Sequence, residues 1–211
     1  MSGGLLALIA TAALLGVVHT VLGPDHYLPF AFLARAGRWS RAKTMIITLV
    51  CGVGHVAGSV VVASVGILLG LAISSLEVLG SFRGDAAAWL LVGVGLAYLV
   101  WGLRRARTHA HADPGAGLRL APWALFIVFV LGPCEVLIPL VMYAAVEHGL
   151  TGALLAITSF GLATLAAMLV TVWVCLQGLA RLPLGNLERY AHAMAGGGLV
   201  LCGFAILFLG L

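Results

Sequence analysis

The chain has 211 residues, of which 63% are hydrophobic and only 9% are Asp, Glu, Lys or Arg. A soluble domain is about a quarter charged, so this composition excludes a water-soluble enzyme, a disordered regulator and a nucleic-acid reader. The mean hydropathy of +1.17 and formal net charge of +4 leave a bilayer as the solvent, with anionic headgroups as partners of the basic residues.

Five runs contain no Asp, Glu, Lys or Arg: Met1 to Pro24, Thr44 to Leu76, Ala86 to Leu103, His148 to Ala180 and Tyr190 to Leu211. A sixth, Leu120 to Val146, is broken only by Glu135. About 20 apolar residues span the hydrocarbon core as a helix. Barrel strands instead alternate in polarity over about ten residues, and stretches such as VVVASVGILLGLAI do not alternate. The runs therefore predict an all-α polytopic domain with six transmembrane helices, at about 4–24, 44–72, 86–103, 121–145, 150–179 and 190–210. The first run has no basic flank before it, the first cation being Arg35, and reads as a span rather than a cleaved signal.

Cations sort by loop. Arg35, Arg38, Arg41 and Lys43 fall in the first loop, Arg104, Arg105, Arg107 and Arg119 in the third, and Arg181 and Arg189 in the fifth. Only Arg83 falls in the second loop. The positive-inside rule makes the odd loops cytoplasmic and both termini external. The expected location is a bacterial or archaeal cytoplasmic membrane. The outer faces of six apolar helices suit lipid or a second copy of the chain.

Polar residues interrupt the first helix at His19-Thr-Val-Leu-Gly-Pro-Asp25-His26. An ionised Asp deep in lipid costs several kcal/mol unless paired or ligated. Pro24 removes a backbone donor and Gly23 loosens the turn, so a broken helix is expected, of the kind that lines ion paths in transporters. Gly132-Pro133-Cys134-Glu135 repeats the pattern 109 residues later, inside the fourth helix. The chain then divides into halves of about 1–105 and 120–211, a 3+3 inverted repeat with helices broken at Gly-Pro. His55 sits between Gly54 and Gly58, a small-residue pair that lets helices approach closely. Thr158, Ser159 and Thr164 occupy the corresponding region of the second half as weaker oxygen donors. Imidazole, carboxylate and thiol together suit a divalent transition metal. The candidate ligands are His19, Asp25, His26, His55, Cys134 and Glu135, with Asp25 and Glu135 supplying charge. His109 and His111 in the third loop read as part of a solvated loop more than as a metal-collecting tract. Cys175 and Cys202 read as packing residues, Cys51 is the one plausible second thiol beside Cys134, and no structural disulfide framework is expected.

At His19-x5-Asp25-His26, His55 and the six-run pattern, the sequence resembles the nickel/cobalt transporter superfamily. Within it the likeness is to the small urease-accessory-like six-helix membrane proteins of the broader lysine-exporter-type superfamily. The resemblance implies that His19, Asp25 and His26 form the metal signature and that nickel or cobalt is the cargo. The larger permeases of that group carry one residue fewer between His and Asp-His. The Gly-Pro-Cys-Glu segment is similar to the proline-flanked cysteines of transmembrane thiol–disulfide electron carriers in the same superfamily. The leading expectation is a non-enzymatic, proton-coupled metal transporter with no organic cofactor, zinc or copper being the other candidate ions. Electron transfer through Cys134 and Cys51, or export of a small anion or amino acid, are the alternatives.

Overall fold

A computed structural model describes residues 3–69, 73–108, 115–132, 134, 136–183 and 185–209. Seven α-helices account for most of them: α1 (Gly3–Leu22), α2 (Leu28–Ala36), α3 (Arg41–Leu68), α4 (Ile73–Thr108), α5 (Gly115–Leu131), α6 (Leu137–Arg181) and α7 (Ala191–Leu209). Short 3-10 turns at Pro24–His26 and Gly185–Tyr190 complete the path. Among the described residues five helical stretches are long and apolar enough to cross a membrane, and Ala121–Leu131 is a shorter apolar helix. The protein is all-α, and its apolar outer faces suit a bilayer; Leu14, Val61, Leu162 and Leu201 are each at least 60% exposed.

Helices end at both breaks. Gly23 leaves helical geometry (φ −89°, ψ 93°), Pro24 starts a single 3-10 turn, and the chain resumes as α2. Pro lacks the N–H that would continue α1 and fits the first position of a new turn. Likewise α5 stops at Leu131, and α6 begins at Leu137 with its N–H donating to the Cys134 carbonyl. A third interruption falls inside α6, where Gly149 adopts φ +62°, ψ −159°. Only glycine enters that region without strain. It divides α6 into limbs 137–148 and 150–181, at the boundary that Glu147 marks between the fourth and fifth runs.

The largest departure from expectation is α4. The charge-free run begins at Ala86, but the helix begins at Ile73. Residues 73–85 mix Ser75, Ser81, Arg83 and Asp85 with Leu76 and Leu79. Leu76 is buried, while Ser81 and Asp85 are exposed. Counting charges starts the helix too late: Val78, Leu79 and Phe82 are exposed apolar residues, and the stretch long and apolar enough to cross a membrane begins at Val78.

Helices α4 and α7 run antiparallel in close contact. A Cβ on Gly95 would lie 2.8 Å from the Val200 nitrogen, and one on Gly203 would lie 2.9 Å from the Ala88 carbonyl. In lipid, such close backbone approach supplies the association that the hydrophobic effect cannot. Helix α1 packs along the long limb of α6, with the Ser159 hydroxyl donating to the Ile9 carbonyl at 2.8 Å. Helix α3 lies between α5 and α6, with Gly54 against Val130 and Gly52 against Leu165. Two apolar clusters result. One holds Phe30, Cys51, Leu125, Phe129 and Met168, and the other holds Ala63, Cys134, Leu137, Ile138 and Phe160.

Cations from the first, third and fifth loops meet in the fold. Arg35, Arg38, Arg105 and Arg189 surround one pocket at a common end of the bundle. Arg83 lies apart from them, its Nη2 donating to the Val130 carbonyl at 2.9 Å. That carbonyl belongs to the last turn of α5, where a cation offsets unpaired acceptors and the negative end of the helix dipole.

Candidate metal centre

Three elements deliver imidazoles to one point. His19 stands in the last turn of α1, His26 in the 3-10 turn that follows the break, and His55 midway along α3. The ring centroids are 4.6 Å apart for His19 and His26, 5.1 Å for His26 and His55, and 6.1 Å for His19 and His55. The break makes this convergence. On an unbroken helix, seven residues advance the chain by about 10 Å, and His26 would sit two turns beyond His19.

Each of two rings has one nitrogen committed to an acceptor. His26 Nδ1 lies 3.0 Å from Asp25 Oδ1 and 3.2 Å from the Gly23 carbonyl. His55 Nδ1 lies 3.2 Å from the Phe129 carbonyl. A neutral ring donating through Nδ1 presents an Nε2 lone pair. The Nε2 atoms of His19, His26 and His55 are all buried, and none has a hydrogen-bond partner. Leaving one such buried group unsatisfied costs about 1–3 kcal/mol. Three orphaned nitrogens in one place are therefore better explained by a ligand than by packing.

Cys134, fully buried, joins them from the α5–α6 break. Its backbone N–H donates to Ser59 Oγ at 2.8 Å, which anchors the break to α3. One candidate ligand atom from each of His19, His55 and Cys134 lies within 4.8 Å of the other two. Metal bonds of about 2.0–2.3 Å put neighbouring ligand atoms about 3–4 Å apart, so a contraction of roughly an ångström converts this cluster into a coordination shell. His26 stands against both histidines, outside that tightest set. Asp25 sits behind His26 with its carboxylate on Nδ1, an arrangement that fixes a ligating ring's tautomer and raises its basicity. Glu135 lies outside the described residues, as do His109 and His111.

The three histidines and Asp25 line a cavity of about 400 Å³ that extends past Phe129 and Gly132 to Ser81 and Asp85 on α4. The last two are exposed, so the histidines form the base of the cavity and Asp85 its polar rim. Phe129 packs edge-on against His26 and His55, at centroid distances of 6.2 Å and 5.9 Å. Sequence reasoning missed Ser59, Phe129 and the Arg83 contact with α5. Ser59 was findable, standing one turn beyond His55 on the same face. Arg83 was visible as the one cation on its side of the charge pattern. Nothing distinguishes Phe129 from its apolar neighbours in sequence.

Comparison of the chain with known protein families, with curated proteins and with solved structures finds no match.

Proposed function

We propose that the protein is an integral membrane transporter for a divalent transition-metal ion, bound as cargo between the two Gly-Pro breaks. The observation that carries this reading is the set of three buried, partnerless Nε2 atoms beside Cys134. Imidazoles replace an ion's hydration shell without adding charge, and neutral nitrogen donors suit nickel, cobalt, zinc and copper. The resemblance at His19, Asp25 and His26 puts nickel and cobalt first, and the Cys134 thiol adds affinity for softer ions. Binding displaces protons from imidazole and thiol, which supplies a route to proton coupling.

Six crossings arranged as an inverted 3+3 repeat fit the packing. At about 1.5 Å per residue, the 45 residues of α6 reach about 68 Å, over twice the roughly 30 Å hydrocarbon core. Its short limb then completes the crossing begun by α5, as α2 completes that of α1. Exchange of the halves turns the α1–α6 contact into that of α3 with α5, and leaves the α4–α7 pair in place. Gly52 lies against Leu165, and Gly161 lies against Val56; both partners are related by the same 109-residue offset that separates the Gly-Pro pairs. Rocking one half against the other would alternate access to a site on the axis between them. With the basic end in the cytoplasm, the Asp85 rim faces outward and both termini are external.

Thiol–disulfide electron transfer needs a second cysteine beside Cys134. Cys51 packs in the other apolar cluster, which favours metal transport. The test is elemental analysis of the purified protein, followed by ion flux in proteoliposomes. Nickel, cobalt, zinc or copper should bind at one equivalent per chain and be lost in His19→Ala/His55→Ala. A full equivalent retained by that double variant would refute the site.

A further inference from the structure

We propose a second site, at the basic end of the bundle, that binds the phosphate of an anionic phospholipid headgroup. A pocket of about 350 Å³ is lined there by Arg35, Arg38, Arg105, Arg189, Glu188 and His192. The residues come from three separate places: the last turn of α2 and the turn after it, the last turns of α4, and the junction of the second 3-10 turn with α7. Folding therefore gathers four guanidiniums around one hollow that contains a single carboxylate. That carboxylate belongs to Glu188, 3.2 Å from Arg38 Nη2, and both side chains are more than half exposed. An exposed pair of this kind contributes little, and the guanidiniums of Arg35 and Arg189 add their charge to the same hollow. Arg35 spends one contact on the Leu182 carbonyl at 3.4 Å. Arg38 is the single described non-glycine residue with positive φ, at 49°; it caps the end of α2, with the Trp39 N–H donating to the Ala34 carbonyl at 2.9 Å.

The hollow concentrates positive charge at one place on the bundle, which favours an anionic occupant. A phosphate diester fits: it carries a full negative charge, and its oxygens match guanidinium forks. Depth selects the lipid as the source. Arg105 lies over Trp101 at 5.4 Å, Arg189 over Tyr190 at 4.7 Å, and Lys43 over Trp39 at 5.0 Å. Tryptophan and tyrosine collect at headgroup level, and basic pockets between helices at the cytoplasmic surface hold anionic headgroups. Neither the hollow nor its charge involves the histidine cluster, so this site stands or falls independently of metal transport.

The experiment is native mass spectrometry of the full chain in neutral detergent, titrated with phosphatidylglycerol, phosphatidylcholine or glycerol 3-phosphate. Phosphatidylglycerol should occupy one saturable site, phosphatidylcholine should bind far more weakly, and Arg38→Gln/Arg189→Gln should weaken the anionic lipid about 10- to 30-fold. Glu188→Gln, which removes the competing carboxylate, should tighten it. Tight binding of glycerol 3-phosphate alone would overturn the lipid as the source. Binding of phosphatidylglycerol that is unsaturable, or unchanged in the arginine variant, would overturn the site. Should that variant fail to fold, Glu188→Gln decides: tighter binding upholds the site, and unchanged or weaker binding overturns it.

Discussion

Asp25→Asn separates a ligand from a support. The substitution keeps size and one acceptor oxygen, and removes the charge that His26 Nδ1 faces at 3.0 Å. Across the imidazole, a metal on Nε2 would lie about 7 Å from the carboxylate, given metal–nitrogen bonds of about 2.0–2.1 Å. At an effective dielectric of about 20, the charge–dication attraction over that distance is worth about 5 kcal/mol before desolvation. Losing the outer partner of a ligating histidine typically costs 10- to 100-fold in affinity, equivalent to about 1.4–2.7 kcal/mol. Asp25→Asn should therefore weaken nickel, cobalt or zinc binding 10- to 100-fold while leaving detectable binding, whereas His55→Ala should remove it. Titration calorimetry in detergent, with thermal unfolding as the fold control, measures both. An affinity within twofold of the parent would refute the support role of Asp25. Complete loss with an intact fold would make Asp25 a direct ligand.

Cys134→Ser should retain nickel and cobalt binding within about tenfold and lose preferentially for zinc and copper, since the change removes softness more than charge; competition titrations with the four ions show the order. Gly95→Ala should lower the melting temperature, because its Cβ would meet the backbone of α7, with an overpacking cost of about 1–3 kcal/mol. Gly93→Ala, with nothing within 4 Å, should be neutral or raise it. A cysteine at Ser81 should react with an impermeant maleimide from outside and one at Gly115 only from inside; the reverse pattern would invert the topology.

The class of fold was legible because lipid leaves so few options: long uncharged runs can satisfy their backbones only as helices. The breaks were equally legible, since Gly-Pro inside such a run has one reading. The site was legible in part. His19 and His26 share a segment, so their proximity follows from one local break. Bringing His55 and Cys134 to the same point depends on how α3 and the α5–α6 break pack, and that is decided by glycines at helix seams that no local pattern reveals. For Asp25 the geometry adds a role that the sequence did not suggest. From sequence it is an ionisable group in lipid and thus a source of charge for the ion, but the 3-10 turn points its carboxylate at the neighbouring ring. The start of α4 was hidden by Arg83 and Asp85, which respectively meet the end of α5 and line the cavity instead of ending the helix.

The halves are not equivalent, and one residue tests what that means. At the 109-residue offset, Asp25 corresponds to Cys134, His19 to Val128 and His55 to Thr164. Most candidate ligands thus belong to the first half, and Thr164 occupies the position where a second His55 would stand. Thr164 is fully buried, its Oγ1 has no hydrogen-bond partner, and that oxygen would lie 3.0 Å from a Cβ on Gly16. An unsatisfied buried hydroxyl is already a net cost, and replacing it with a methyl of the same shape is neutral or stabilising. Thr164→Val should therefore leave the melting temperature unchanged or raise it, by an amount equivalent to about 1 kcal/mol. If rocking of the halves carries Thr164 toward the ion in the opposite state, as His55 stands toward it here, the same variant should bind metal normally and transport it slowly. Binding by calorimetry and flux in proteoliposomes separate the two properties. A destabilised Thr164→Val would show that the hydroxyl has a partner in the native protein, and unimpaired flux would confine the ion's path to the residues of the first half and Cys134.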